Sequence, residues 1–134
     1  MWLRASLSAD EPLARVLTSS GHFSRKNNRV KEPAFLPNAK LKTSVYRTQG
    51  MSDPEMWALA DECVAGPTGK TCYGVGVVTV RDVSDNELSV DPDDEPPRHA
   101  NIVGWPAADT ADDKAKRKAL ALRLANAATL RLRS

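Results

Sequence analysis

The run Asp91-Pro92-Asp93-Asp94-Glu95-Pro96-Pro97 divides this chain more firmly than any other stretch. Its prolines lack the amide that helix and sheet both use, and its carboxylates repel one another, so it is expected to form no regular structure. Directly after it comes Arg98-His99-Ala100-Asn101-Ile102-Val103-Gly104-Trp105-Pro106, an apolar run with polar punctuation. That pattern predicts a short buried strand with Arg98, His99 and Asn101 at its entrance. Beyond it lies the only long helical pattern in the chain.

Upstream, Ser8 and Glu11 have capping-box spacing, and Leu13, Val16 and Leu17 follow at helical intervals. These predict an N-terminal helical segment within residues 1–20 that stops near Gly21, with Pro12 tolerated in the first turn. Asn27-Asn28 favours a turn. Ala34-Phe35-Leu36, fenced by Pro33 and Pro37, suits an edge strand or an extended segment crossing the core. Residues 41–48 are rich in β-formers and predict a strand. Ser52-Asp53-Pro54-Glu55 is a second capping box, and Met56, Leu59, Ala60 and Cys63 predict a helix over 53–64. A turn at 66–69, a β-rich run over 71–83 and a short strand at 88–90 complete the first part.

Thr110 caps the last helix, whose predicted buried stripe is Leu120, Leu124, Ala127 and Ala128. Residues 129–133 alternate apolar and basic side chains, as an edge strand would, so 114–134 read as a basic helix and tail. The whole predicts an α+β fold over 1–134. One domain would hold a small mixed or antiparallel sheet of about four to six short strands, with two or three helices in one layer against it.

The net charge of +2 conceals a segregation: residues 21–50 carry +6, residues 51–113 carry −11 and residues 114–134 carry +7. Such blocks either face partners or neutralise one another within the fold. Cys63 and Cys72 lie outside any CxxC pair, which excludes a zinc ribbon and predicts reduced thiols. No apolar run reaches the length of a signal peptide or a membrane span, so the expected setting is cytoplasmic, away from membranes.

Several motifs are weighed and set aside. Residues 65–71 suggest a phosphate-binding loop, but Val64 stands where its first glycine belongs, and a helix precedes where a strand should. The acidic run lacks the glycine and closing glutamate of a calcium loop, and the histidines and cysteines match no zinc spacing, so no metal is expected. No Ser-His-Asp order, nucleophilic cysteine pattern or dinucleotide glycine motif is convincing. His22-Phe23-Ser24 fits the H-x-[ST] pattern of two-histidine phosphodiesterases, while His99-Ala100-Asn101 departs from it by placing Asn where the hydroxyl belongs.

The segments Arg29-Val30-Lys31, Ala34-Phe35-Leu36-Pro37, Ser44-Val45-Tyr46-Arg47 and Pro97 to Pro106, followed by a lysine-rich helix, resemble a group of small uncharacterised bacterial proteins. The resemblance implies a bacterial, stand-alone domain and carries no fold or activity with it. The leading expectation is a non-catalytic binding or accessory protein without cofactor. A polar groove between residues 22–31 and 98–101 would engage an anionic (nucleic-acid or phosphate-bearing) or protein partner. Ser24, Arg25, Arg29, Lys31, Arg98, His99 and Asn101 would line it, because guanidinium forks suit phosphate and carboxylate. A second reading is a small phosphodiester-acting enzyme with His22 and His99 as its acid–base pair. A third is a structural subunit that buries Trp57 and Trp105 in a larger assembly.

Overall fold

The structure, a computed structural model, describes residues 7–133. In chain order its elements are β1 (Pro12–Leu17), β2 (Phe23–Ser24), β3 (Arg29–Val30), β4 (Thr43–Arg47), α1 (Asp53–Ala60), α2 (Gly66–Thr68), β5 (Gly74–Thr79), α3 (Val80–Asp85), β6 (Ser89–Pro92), β7 (His99–Val103), α4 (Ala111–Ala127) and β8 (Thr129–Leu132). Six strands form one sheet in the order β6-β7-β4-β1-β5-β8, every pairing antiparallel, and β2 and β3 form a separate hairpin. The fold is α+β.

The largest departure from expectation is β1. The predicted N-terminal helix falls partly on residues 1–6, outside the described residues, and the rest holds β1, one of the two central strands of the sheet. Leu13 and Leu17 join the core beneath α4, while Ala14 and Val16 join the core beneath α1. A strand buried on both faces loses the alternation that would have identified it, and its apolar residues then also fit a helix. Ser8 and Glu11 close a backbone turn instead of capping a helix, and the Glu11 carboxylate is buried against Arg47.

The helices lie on both faces of the sheet rather than in one layer. Ala121, Leu124 and Ala125 of α4 pack with Leu13, Leu17, Val45, Val78 and Ile102. Met56 and Ala60 of α1 pack with Ala14, Val16, Tyr46 and Val75 on the other side. The stripe of α4 is therefore rotated from the predicted one: Ala127 is exposed, and Ala121 and Ala125 take the buried positions. Glu32–Ala34 forms a 3-10 turn rather than a strand, and Phe35 at its end is fully buried. The Arg15 guanidinium ties this turn to β4 by donating to Ala34 O at 2.7 Å and Ser44 O at 2.9 Å.

α1 begins at its capping box, Ser52 Oγ accepting from the Glu55 amide and Glu55 Oε1 from the Ser52 amide. It widens into a π turn over Asp61–Ala65, where a Cβ on Gly66 would stand 2.7 Å from the Asp61 carbonyl oxygen. The helix then continues through the predicted turn as α2 and stops at Gly69, whose φ of 69° suits glycine. β5 is shorter than the β-rich run suggested, because Thr79 and Asp82 form a capping box that starts α3. β6 takes up the first two residues of the proline-broken segment, Asp91 and Pro92, since Pro92 sits on an edge strand where its missing amide costs no ladder bond.

Candidate functional site

Two polar regions stand on opposite faces of the sheet. The first is the β2–β3 hairpin, on the α4 side. Phe23 pairs with Val30 and Ser24 with Arg29. The turn closes through the Asn28 amide on Arg25 O at 3.3 Å, with Asn28 left-handed at φ 50° and Ser24 Oγ accepting from the Asn27 amide. Val30 presses onto Gly76 of β5, where an added Cβ would come within 2.8 Å of Val30 Cγ2. The hairpin therefore lies close against the sheet and turns its basic side chains outward.

Arg25, Lys26, Arg29 and Lys31 are exposed, and none makes an ion pair among the described residues. Arg25 instead lies 5.7 Å over the Phe23 ring. An open cleft of about 210 Å³ separates the hairpin from α4, lined by Arg29, Lys31, Leu122 and Asn126 among others. Leu122 is the one large apolar side chain exposed among the described residues. His22 sits at the base of this hairpin, its carbonyl accepting from the Lys31 amide. Its Nδ1 is buried without a hydrogen-bond partner among the described residues. Burial pulls its pKa below 6.5, and the charges of Arg15 and Lys70 pull the same way.

The second region lies on the α1 side, over β4, β7 and the loop between β6 and β7. The register sets Ser44 opposite Asn101 and Tyr46 opposite His99. Ala100 and Ile102 point into the α4 core, so His99 and Asn101 point the other way. Ser44 Oγ is 2.6 Å from His99 Nε2, and Asp93 Oδ1 is 2.7 Å from His99 Nδ1. Asn101 Nδ2 donates to Asp93 Oδ2 at 3.2 Å, and the Glu95 amide donates to Asp93 Oδ1. The Tyr46 ring meets the imidazole edge-on at 5.3 Å.

Burial would push the Asp93 carboxyl up. The hydrogen bonds from His99, the Glu95 amide and Asn101, with the charge of His99, outweigh it and hold the group below its ordinary 3.8. Burial, then the neighbouring Cys63, pushes the Tyr46 phenol up to about 12. The loop itself is stitched down by the Asp94 amide on His99 O, the His99 amide on Pro96 O and the Arg47 amide on Arg98 O.

These placements revise the predicted groove. Residues 22–31 and residues 98–101 lie on opposite faces of the sheet, so they form two regions and not one. His22 and His99 do not face each other, and the acid–base pair of the phosphodiesterase reading is not assembled. Arg98 directs Nη1 to the carbonyls of Arg47 and Gln49, at 3.0 and 3.2 Å. It borders an open cleft of about 420 Å³ with Glu11, Arg47, Gln49 and Asp94. Asp93 and Asp94 of the acidic loop meet His99 and Arg47 rather than the basic 25–31 stretch.

The tryptophans offered to a larger assembly are covered within the fold. Trp105 is buried and donates to Ile102 O, and Trp57 is half-buried with the Arg133 guanidinium 5.9 Å from its ring centre. Both cysteines are free thiols. No cluster of His, Cys, Asp or Glu among the described residues could hold a metal ion, and no described helix is long and apolar enough to cross a membrane. No family model matches the chain, and no curated protein or solved structure is significantly similar to it.

Sequence reasoning missed Ser44, Asp93 and Tyr46. The available signal was that Ser44 is the one serine in a β-forming stretch that also carries Thr43, Tyr46 and Thr48, and that Asp93 lies six residues before His99 across a proline-broken loop. Neither says that strand pairing will bring them together.

Proposed function

We propose that this chain is an accessory protein that binds a phosphate-bearing polyanion, a nucleic acid, through the outer side of its β2–β3 hairpin. One contrast supports the reading. In the basic C-terminal block, Lys114, Lys116, Lys118, Arg131 and Arg133 each meet a carboxylate of the same chain. In the hairpin, Arg25, Lys26, Arg29 and Lys31 meet none among the described residues, and they lie along one short hairpin from its turn to the end of β3. Guanidinium forks and a lysine at a hairpin tip suit phosphate oxygens, and neutralising phosphates releases condensed counterions. With Phe23 buried, the hairpin offers charge without a stacking platform, so binding would track the backbone with little base preference.

The test is fluorescence anisotropy of a labelled oligonucleotide across a salt series. Binding should weaken steeply with salt, with a slope of about −0.7 to −0.9 per phosphate contacted. Arg25→Ala and Arg29→Ala should each lower that slope by about one unit, whereas Arg98→Ala on the other face should leave it unchanged. Binding that is indifferent to salt, or that falls only with Arg98→Ala, removes the hairpin from the interface.

A further inference from the structure

The polar cluster on the opposite face supports a separate inference that does not rest on the hairpin. We propose that Ser44 is the nucleophile of an acyl-transfer centre, with His99 as its base and Asp93 as the residue that positions the imidazole. The substrate class is a carboxylic ester or a similarly activated acyl compound.

Geometry carries this. A hydroxyl, an imidazole and a carboxylate stand in line, with heavy-atom separations of 2.6 Å and 2.7 Å. A carboxylate on Nδ1 keeps the proton on that nitrogen and turns the lone pair of Nε2 toward Ser44 Oγ, the orientation a general base requires. The carboxylate is itself fixed by Asn101 and the Glu95 amide, so the line is held from its far end. Ser44 and His99 lie on paired strands, and such supports keep a site in register better than loops do.

Exposure separates this line from a core network. The helix α1 packs over β1 and β5 and reaches β4 at Tyr46; Asn101 on β7 is buried, while Ser89 and Asp91 on the edge strand β6 and the 93–98 loop are exposed. Asp93 keeps 41% of its side chain exposed and His99 keeps 13%. A substrate can therefore approach from the side of the 93–98 loop. Tyr46, two residues from Ser44 on the same strand face, presents a phenol that retains its proton at neutral pH.

The chemistry closes without a co-reactant other than water. Ser44 Oγ bonds to the acyl carbon as its proton passes to His99 Nε2. The bond to the leaving oxygen then breaks, and His99 returns the proton to that oxygen, releasing the alcohol. Water attacks the acyl-serine, giving its proton to His99, and the carboxylic acid departs as Ser44 Oγ recovers a proton.

A fluorophosphonate probe tests the first step directly, because displacement of fluoride by Ser44 Oγ leaves a stable phosphonyl adduct. Intact-mass analysis and peptide mapping of the full chain should show one adduct, on Ser44, absent from Ser44→Ala. His99→Gln should slow labelling by about 10⁴-fold or more, with an unchanged circular dichroism spectrum. If His99→Gln fails to fold, Asp93→Asn on the exposed loop gives the same comparison. No adduct, an adduct on another residue, or an equal rate in the folded His99 or Asp93 variant overturns the proposal. Hydrolysis of p-nitrophenyl acetate by the native chain, lost in Ser44→Ala, extends the result to the complete cycle.

Discussion

The two histidines of this protein meet opposite environments on the two sides of one sheet. His22 sits under a cationic hairpin, with Arg15 and Lys70 near and its Nδ1 without a hydrogen-bond partner among the described residues. His99 has both ring nitrogens engaged, one by a carboxylate and one by a hydroxyl. Burial and positive neighbours favour the neutral form of the first, so it adds no charge to the face where anions would gather. The second has a partner that fixes its tautomer and a hydroxyl to act on. Residue type and strand entrance made both look like members of one acid–base pair; the sheet that separates them makes one a passive filler and the other a positioned base.

The largest expected effect breaks the second environment. Asp93→Asn keeps the shape of the side chain but removes the charge that orients the imidazole, so labelling of Ser44 should slow by something on the order of 10⁴-fold. Thermal unfolding should move little, because the Asp93 side chain is 41% exposed. Equal labelling rates would show the line of hydrogen bonds to be structural, and His99 would then be no more functional than His22.

The next effect breaks the first environment alone. At Gly76 an added Cβ would press within 2.8 Å of Val30 Cγ2, a β-branched side chain with little freedom to turn away. Gly76→Ala should lift the hairpin and destabilise the fold by about 1–3 kcal/mol. Oligonucleotide affinity should fall while Ser44 labelling persists. A parallel loss of both would mean that the two faces are coupled, the Arg15 guanidinium on Ser44 O being the contact to examine first.

How much of this was legible follows the range of each signal. The starts of α1 and α4 could be read because Ser52 with Glu55, and Thr110 with Asp113, satisfy amides within one turn. The Asn27-Asn28 turn is equally local. α3 carried a capping box too, but Val80 and Val83 made the same residues look like strand. β1 was hidden because its identity depends on strands pairing on both sides, which no local period records. The candidate site divides in the same way. His99 and Asn101 stood out as polar residues in an apolar strand, whereas Ser44 acquires its role only through the register of β4 on β7, and Asp93 only through the fold of the loop between β6 and β7.

The smallest effect sharpens the contrast through pH. The pKa of His22 is lowered by folding, so as pH falls past about 6.5 the unfolded chain takes up a proton that the folded chain resists. Its contribution is complete above that value and is lost as pH falls toward the lowered folded value. Asp93 acts in a separate window. Its folded pKa is also lowered, so its contribution is complete above about 3.8 and is lost as pH falls through the folded value. Urea midpoints measured across this range should decline in two stages. His22→Gln, which replaces the imidazole with a neutral amide, should flatten the upper stage and leave the lower one in place. Asp93→Asn should leave the upper stage in place and remove only its own share of the lower one, to which Glu55 and Asp61, also held below their ordinary values, contribute. An upper stage that survives His22→Gln would place its origin in another group and leave His22 without the cationic, desolvated setting that distinguishes it from His99.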